Sequence, residues 1–204
     1  MNDNPLLLLL VFGGTVYAAI LWSDDYRKRM AGAPHPKSLP GATPAPLLSI
    51  VVAAGGALIL LGLQTSGEYR LDIVAEQSRI TILFGVFTLS AAFLEELIFR
   101  GYLVVQNRGR LLLTGSIVFF SLLFALAHPF LWTYDSEAGI SLHGDTKAWF
   151  STGFLFANSL WFYFVRFFPL NPHNSLLPCI VAHLTMNIGV FSIKGYQGYV
   201  SGWF

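Results

Sequence analysis

Two glutamates and an arginine lie inside an apolar stretch of the chain, in the sequence EELIFRG at residues 95–101. Each charged residue at the centre of a membrane helix costs about 2.5–3.5 kcal/mol on insertion scales. Glu96 and Arg100 are four residues apart, so on a helix they share one face and can neutralise each other. Glu95 lies about 100° further round the helix and need not join that pair. We therefore predict a supporting role for Glu96 and Arg100, and a direct functional role for Glu95.

Two further apolar stretches carry polar residues at the same helical spacing. FALAHPF places Phe124 four residues before His128, and AHLTMNIG places His183 four residues before Asn187. This spacing puts each pair on one face of a helix. Because polar side chains are costly against lipid, we predict that these faces meet in the interior of a helical bundle.

These residue types together suit the hydrolysis of an amide bond. A carboxylate and an imidazole in a partly dehydrated pocket can activate a water molecule as general bases. A second imidazole and a carboxamide can donate hydrogen bonds to the oxyanion that develops on the attacked carbonyl. Glu95 and His128 suit the first task, and His183 and Asn187 suit the second. Such a site needs no side-chain nucleophile.

Two other mechanisms would use some of the same residues. Glu95, His128 and His183 carry donor atoms that suit zinc, but they come from separate helices and no HExxH is present. Cys179 lies four residues before His183 and mimics a Cys–His pair, although a cysteine just after a proline near a helix start is usually a small buried hydrophobe. We predict no metal and no cofactor, with zinc as the alternative.

Composition predicts an integral membrane protein. Of the 204 residues, 54% are apolar and 11% are charged, whereas a soluble domain carries about a quarter charged residues. The net charge of +1, without a basic arm, gives no indication of nucleic-acid binding. The single cysteine excludes an internal disulfide.

Apolar stretches of about 20 residues, the length that crosses a bilayer, predict an all-α polytopic membrane helical bundle with about six transmembrane helices. The predicted helices cover residues 5–22, 46–64, 80–105, 111–132, 148–168 and 175–193. We expect a single membrane domain over residues 1–204, with two N-terminal helices before a motif-bearing core at 80–193. The first stretch lacks a preceding basic region, so we interpret it as a retained helix. The polar stretches 23–46 and 133–147 predict irregular loops.

The basic residues between the predicted helices indicate orientation. One side carries Arg27, Lys28, Arg29, Lys37, Arg108, Arg110 and Arg166, and the other carries Arg70, Arg79, Lys147 and Lys194. Because cytoplasmic loops are enriched in Lys and Arg, we expect a multi-pass membrane protein with both termini outside the cytoplasm.

The three polar stretches resemble the motifs of a known family. EELIFRG is similar to EExxxR, FALAH to FxxxH and AHLTMN to HxxxN of the CAAX protease and bacteriocin-processing family, also called CPBP or ABI. The resemblance covers about residues 90–189 and includes the flanks SIVFFSLLFALAHP, FSTG and NSLLPCIVAHLTMN. It implies a glutamate-dependent intramembrane endopeptidase whose fold is a helical bundle around a water-accessible chamber.

The resemblance also implies a role for each motif residue, and these roles agree with those expected from the chemistry. The first glutamate of EExxxR and the FxxxH histidine activate water, the HxxxN pair lines the oxyanion site, and the remaining glutamate and arginine hold the first glutamate. By position, these roles fall on Glu95 and His128, on His183 and Asn187, and on Glu96 and Arg100, with Phe124 opening the FxxxH motif.

The resemblance implies a membrane-anchored or lipid-modified protein substrate. In size and layout the chain is similar to compact bacterial members called myxosortase-like, which favours C-terminal sorting or anchor segments as substrates. Three alternatives remain open: a CAAX-type prenyl-protein protease, a non-catalytic bacteriocin immunity or peptide-binding protein, and a small transporter with a Glu and His proton relay. Transporters often contain an internal repeat, and this sequence has none.

Overall fold

The computed structural model describes residues 5–203 and consists mainly of six long helices. The helices are α1 (Pro5–Met30), α2 (Leu47–Arg70), α3 (Ile82–Glu95), α4 (Arg110–Ala127), α5 (Thr146–Phe167) and α6 (Leu177–Tyr196). A π-helix, Glu96–Leu103, directly continues α3. The strands β1 (Trp132–Asp135) and β2 (Gly139–Leu142) form one antiparallel hairpin. The predicted all-α helical bundle is confirmed, although residues 1–4 and 204 of the predicted domain lie outside the described residues.

Five segments of the described chain are long and apolar enough to cross a membrane. They are Leu8–Met30, Leu47–Arg70, Ile82–Leu103, Arg110–Ala127 and Leu177–Tyr196. The protein is therefore a multi-pass membrane protein. The sequence predicted six spans, and α5 is the long helix that is not apolar enough to be counted among these five. Polar residues on the buried side of α5, including Ser151, Thr152, Asn158 and Ser159, explain its lower apolar character.

At one end of the bundle, the α1–α2 connection packs on the α5–α6 connection. The Leu176 amide donates to the Gly41 carbonyl at 3.0 Å, and the Ser175 hydroxyl donates to the Thr43 carbonyl at 2.5 Å. These contacts place the end of α1, the start of α2, the end of α5 and the start of α6 together. Helices α1 and α5 therefore run towards this end of the bundle, and α2 and α6 run away from it.

At the opposite end, side chains join α2 to α5 and the backbone joins α3 to the C-terminal segment. Lys147 Nζ lies 2.9 Å from Glu68 Oε1 in a largely buried ion pair. A parallel β-bridge connects Ile80, just before α3, to Val200, just after α6. The two ends of the bundle are therefore each closed by specific contacts between connections or helix termini.

Close helix packing depends on glycines in α2 and α6. A Cβ on Gly56 would lie 2.0 Å from the Trp161 ring on α5, and one on Gly189 would lie 2.2 Å from the Leu61 side chain. Both separations are shorter than any tolerable van der Waals contact. Small residues at these positions let the helix backbones approach closely, which is the usual basis of helix association in membranes.

Three predicted helix boundaries differ from the structure by five residues or more: α2 ends at Arg70 rather than at residue 64, and the ends of α1 and α4 differ for local reasons. Helix α1 continues beyond the predicted residue 22 to Met30, because its polar residues bind the following connection: Asp25 Oδ2 accepts from the Leu39 amide at 2.8 Å. Helix α4 ends at Ala127 rather than at residue 132. His128 precedes Pro129, and a residue before proline is disfavoured in the α conformation.

The segment that was predicted to be an irregular loop between α4 and α5 contains the β-hairpin. Thr133 faces Ser141 across it, and the turn is stabilised by Asp135. Its carboxylate accepts from the amides of Ala138 at 2.9 Å and Glu137 at 2.8 Å. These two hydrogen bonds hold the pKa of the Asp135 carboxyl below its usual range.

Candidate active site

The EELIFRG sequence changes from α-helix to π-helix between its two glutamates. Glu95 is the last residue of α3, and Glu96 is the first residue of the π-helix. π-Helices are rare and occur frequently at functional sites, because the wider turn redirects side chains. Tyr163 on α5 donates its hydroxyl to the Phe99 carbonyl inside this segment, at 2.7 Å. The unusual backbone is thus held by a neighbouring helix.

Glu96 lies at the centre of a buried polar cluster. Its Oε1 is 3.2 Å from Arg100 Nη1, and both side chains have no exposed surface. The same oxygen is 2.8 Å from His183 Nδ1 on α6. An ionised carboxylate only accepts, so Nδ1 is the nitrogen of His183 that donates. The predicted supporting pair is present, and it also fixes the orientation of the imidazole.

Arg100 is held by α5 and by aromatic rings. Its Nη2 donates to Ser159 Oγ at 2.6 Å. The guanidinium carbon lies 4.5 Å from the Phe124 ring centroid, 5.1 Å from that of Phe162 and 4.9 Å from that of Tyr163. Cation–π contacts of this kind are strongest when the cation is removed from water. They help to offset the cost of burying the arginine.

Glu95 differs from Glu96 in its accessibility. Its side chain is 31% exposed, and its Oε2 lies 3.7 Å from His183 Nε2. That separation is longer than a hydrogen bond, so the Glu95 carboxylate faces the His183 imidazole but is not hydrogen-bonded to it. Glu95 is therefore the carboxylate of this cluster that a water molecule or a substrate can reach.

His128 follows the last residue of α4, and its ring lies close to the Phe124 ring, as does that of His183. The Phe124 ring centroid is 4.8 Å from that of His128 and 6.0 Å from that of His183. His128 Nδ1 lies 2.8 Å from the Phe124 carbonyl, which can only accept. This leaves Nε2 of a neutral His128 as a proton acceptor. Within residues 5–203, no hydrogen bond or ion pair joins His128 to Glu95 directly.

Asn187 ties α6 to α3. Its Nδ2 donates to the Thr88 carbonyl at 2.9 Å, one turn along α6 from His183. A carboxamide nitrogen carries two protons, so one N–H of Asn187 is still free to donate. Asn187 and His183 lie on the same helix face, as their spacing predicted.

Three residues of α5 were missed at the sequence level. Ser159 binds Arg100, Tyr163 binds Phe99, and the Phe162 ring stacks on the His183 ring at 4.8 Å between centroids. One weak indication was present in the sequence. Ser159 and Tyr163 are four residues apart within an apolar helix, so they share one helix face. No charge marked them, and a tyrosine or serine on a membrane helix is common enough to be overlooked.

Cys179 is buried, and its thiol is already hydrogen-bonded. It has no exposed surface, and its Sγ donates to the Phe162 carbonyl at 3.2 Å. We predict that Cys179→Ser keeps peptide cleavage within about threefold of wild type, because serine can make the same hydrogen bond. Rates measured with the reconstituted variant will check this. A variant that inserts normally but does not cleave would restore the thiol mechanism.

The potential metal ligands are dispersed. Among residues 5–203, no group of three His, Cys, Asp or Glu side chains is arranged to hold a metal ion. Glu95 and His183 face each other, whereas the hydrogen bond described for His128 is to the Phe124 carbonyl. The zinc alternative therefore lacks a ready set of ligands in the described part of the chain.

Fold and site together define a multi-pass membrane protein with a buried acid–base cluster at the meeting point of α3, the π-helix, α5 and α6. Comparison with known families identifies it further. The model of the family described as "type II CAAX prenyl endopeptidase Rce1-like" matches residues 77–189, and the chain belongs to that family. Neither a curated protein nor a solved structure matches the chain. Membership of this family implies a CAAX-type peptidase.

Proposed function

We propose that the protein is an intramembrane endopeptidase that hydrolyses a peptide bond with water activated by Glu95. The observation that supports this most is the contrast within EELIFRG. Glu96 is fully buried and bound to Arg100 and His183, whereas Glu95 is accessible and faces the same imidazole. A polar network that served the fold alone would have no use for a second, accessible carboxylate next to a neutralised one.

In the proposed mechanism Glu95 and His128 act as general bases on the water. The water oxygen forms a bond with the carbonyl carbon, and its proton passes to the Glu95 carboxylate. The oxyanion then accepts hydrogen bonds from the free N–H of Asn187 and from an N–H at Nε2 of His183, whose Nδ1 is bound to Glu96. When the carbon–nitrogen bond breaks, the departing amine takes the proton.

The position of His128 requires movement or a bridging water in this mechanism. Its ring contacts Phe124 rather than Glu95, so in the described conformation the two predicted bases do not touch. Catalytic hydrogen bonds are often long in a free enzyme and tighten when substrate binds. A substrate peptide that enters beside Phe124 would bring its carbonyl within reach of both side chains.

The proposed substrates are membrane-anchored or lipid-modified proteins, in particular C-terminal sorting or anchor segments. The site lies among apolar helices, which favours substrates that are themselves held in the bilayer. The proposed location is a bacterial inner membrane with both termini outside the cytoplasm. A prenylated CAAX protein is the alternative substrate, and a binding or immunity role without catalysis is the alternative function.

One reconstitution experiment separates these substrates. The full-length protein in liposomes would be given two reporters, a peptide with a transmembrane C-terminal anchor and a farnesylated CAAX peptide, and product masses would be compared. Cleavage of the anchor peptide supports the proposed substrate, and cleavage of only the farnesylated peptide assigns the chain to the prenyl-protein alternative. Cleavage of neither, by a protein shown to be folded, contradicts the proposed activity.

We predict that chelators leave the cleavage rate within about twofold, because the water is activated by side chains and no metal takes part. The rate would be measured in liposomes permeable to EDTA, with a known zinc metalloprotease as the matched control. Loss of activity in EDTA that is restored by zinc would contradict the glutamate mechanism and revive the zinc site at Glu95, His128 and His183.

A further inference from the structure

Arg166, in the last turn of α5, is a buried cation without a counterion. The sequence placed it among the basic residues at the cytoplasmic loops, but only 2% of its surface is exposed. Its Nε and Nη1 atoms are buried and have no hydrogen-bond partner. Every ion pair within residues 5–203 involves other residues. A charge in this state inside a membrane protein is costly and usually marks a functional site.

The contrast with Arg100 shows what Arg166 lacks. Arg100 is equally buried, and its Nε and Nη1 also lack a hydrogen bond, but its Nη1 has the Glu96 carboxylate at 3.2 Å and its Nη2 has the Ser159 hydroxyl at 2.6 Å. Near Arg166, the Asn171 amide binds the Arg166 main-chain carbonyl at 2.9 Å and so leaves the guanidinium untouched. The Phe167 ring centroid is 5.2 Å from the guanidinium carbon. The aromatic contact compensates only part of the cost of burial.

The location of Arg166 connects it to the candidate active site. Phe162, whose ring stacks on His183, lies one helical turn before Arg166, about 6 Å along the helix axis. The first turn of α6 runs beside this turn of α5, since Cys179 Sγ donates to the Phe162 carbonyl. The N-terminus of a helix carries partial positive charge. Arg166 and the start of α6 therefore create positive potential at one end of the site.

We propose that Arg166 binds the C-terminal carboxylate of the peptide substrate. A guanidinium binds a carboxylate with two parallel charge-assisted hydrogen bonds, and in Arg166 the unpartnered Nε or Nη1 would supply one of them beside Nη2. The spacing from the Phe162–His183 pair fits a free C-terminus a few residues beyond the bond that is cut, so the proposal requires a C-terminal segment that is cut near its end. The identity of the ligand as a substrate rests on the proposed endopeptidase function, whereas the carboxylate site itself does not.

The test measures binding rather than cleavage. The full-length Glu95→Gln protein in phosphatidylcholine nanodiscs would be titrated with the apolar peptide N-acetyl-Leu-Val-Leu, as the free acid and as the C-terminal amide. We expect the acid to bind at least about tenfold more tightly than the amide, since only the acid can form the paired charge-assisted bonds. Arg166→Gln should abolish that preference, Arg166→Lys should reduce it, and the exposed Arg29→Gln at the same end of the bundle should leave it unchanged.

Several results would overturn the proposal. They are equal affinity for acid and amide, no binding of either peptide, or a full acid preference in Arg166→Gln. If Arg166→Gln does not insert into the membrane, the proposal is tested by two other results. The parent protein should prefer the acid to the amide, and Arg166→Lys should show a smaller preference. Repeating the titration with phosphatidylglycerol present tests a lipid phosphate as the anion: competition by this lipid without any acid preference assigns Arg166 to a headgroup and contradicts the proposal.

This binding test is independent of the proposed activity. A protein that prefers the acid through Arg166 but never cleaves a peptide would contradict the endopeptidase function alone. A protein that cleaves in a Glu95-dependent manner but binds acid and amide equally would contradict the carboxylate site alone.

Discussion

Glu95→Gln is expected to lower the rate of peptide cleavage by about 10²–10⁴-fold, the usual contribution of a general base. The amide has almost the same shape as the carboxylate but cannot accept the proton of the attacking water. Because the Glu95 side chain is 31% exposed and is not in hydrogen-bond contact with His183, the substitution should leave the bundle intact. Cleavage rates in liposomes test the expected loss of activity. The thermal unfolding midpoint, measured on the same preparation, tests whether the bundle is intact.

The matched control for this variant is Glu137→Gln. Glu137 is an exposed glutamate in the β-hairpin, outside the candidate site. Its substitution makes the same chemical change and should leave the cleavage rate at the wild-type value. Full activity of Glu95→Gln would exclude Glu95 as the base. A binding or immunity function without catalysis predicts instead that Glu95→Gln and wild type behave alike in every cleavage assay.

Arg100→Met is expected to destabilise the protein by about 3–5 kcal/mol, because it leaves the Glu96 carboxylate buried without its cation. Both side chains of the pair have no exposed surface, so water cannot replace the arginine. The loss would be measured as the change in unfolding free energy in a detergent titration. Arg100→Met should also reduce activity, since Glu96 orients the His183 imidazole.

An exposed pair with the same spacing provides the control. Lys28 and Asp24 are also four residues apart on one helix, at 2.6 Å, but their side chains are 50% and 56% exposed. Exposed ion pairs contribute little to stability, so Lys28→Met should not shift the unfolding midpoint measurably. The double variant Glu96→Gln with Arg100→Met should recover part of the lost stability. Equal stability of Arg100→Met and Lys28→Met would show that Glu96 is not an uncompensated charge.

The sequence was most informative where the membrane restricts the possible structures. Glu96 and Arg100 were predicted to pair from their spacing alone, and they do. His183 was predicted to meet them from another helix, and it does. Lipid cannot solvate such groups, so few arrangements were available to them. The six helices were predicted for the same reason, because only the length of an apolar stretch was needed.

Features that depend on local backbone geometry or on neutral side chains could not be predicted. The π-helix leaves no pattern in EELIFRG, since its residues would also fit an ordinary helix. Ser159 and Tyr163 contribute through single hydrogen bonds that spacing alone does not reveal. Arg166 was counted as a loop-end charge because burial is a property of the assembled bundle.

His128 shows where motif spacing reaches its limit. The FxxxH spacing predicted correctly that Phe124 and His128 lie close together. It could not predict that α4 would end before Pro129, which leaves His128 after the helix with its Nδ1 bound to the Phe124 carbonyl. The distance between His128 and the other site residues depends on that end geometry and on the fold of the following hairpin.

The most direct measurement compares protein C-termini in cells that express either wild type or Glu95→Gln. Membrane proteins from the two cultures would be analysed for C-terminal mass, with equal insertion of both variants verified first. An endopeptidase that depends on Glu95 predicts at least one membrane-anchored protein whose shortened form is present only with wild type. Identical C-termini throughout, with both variants stably inserted, would contradict it and favour a binding or immunity role.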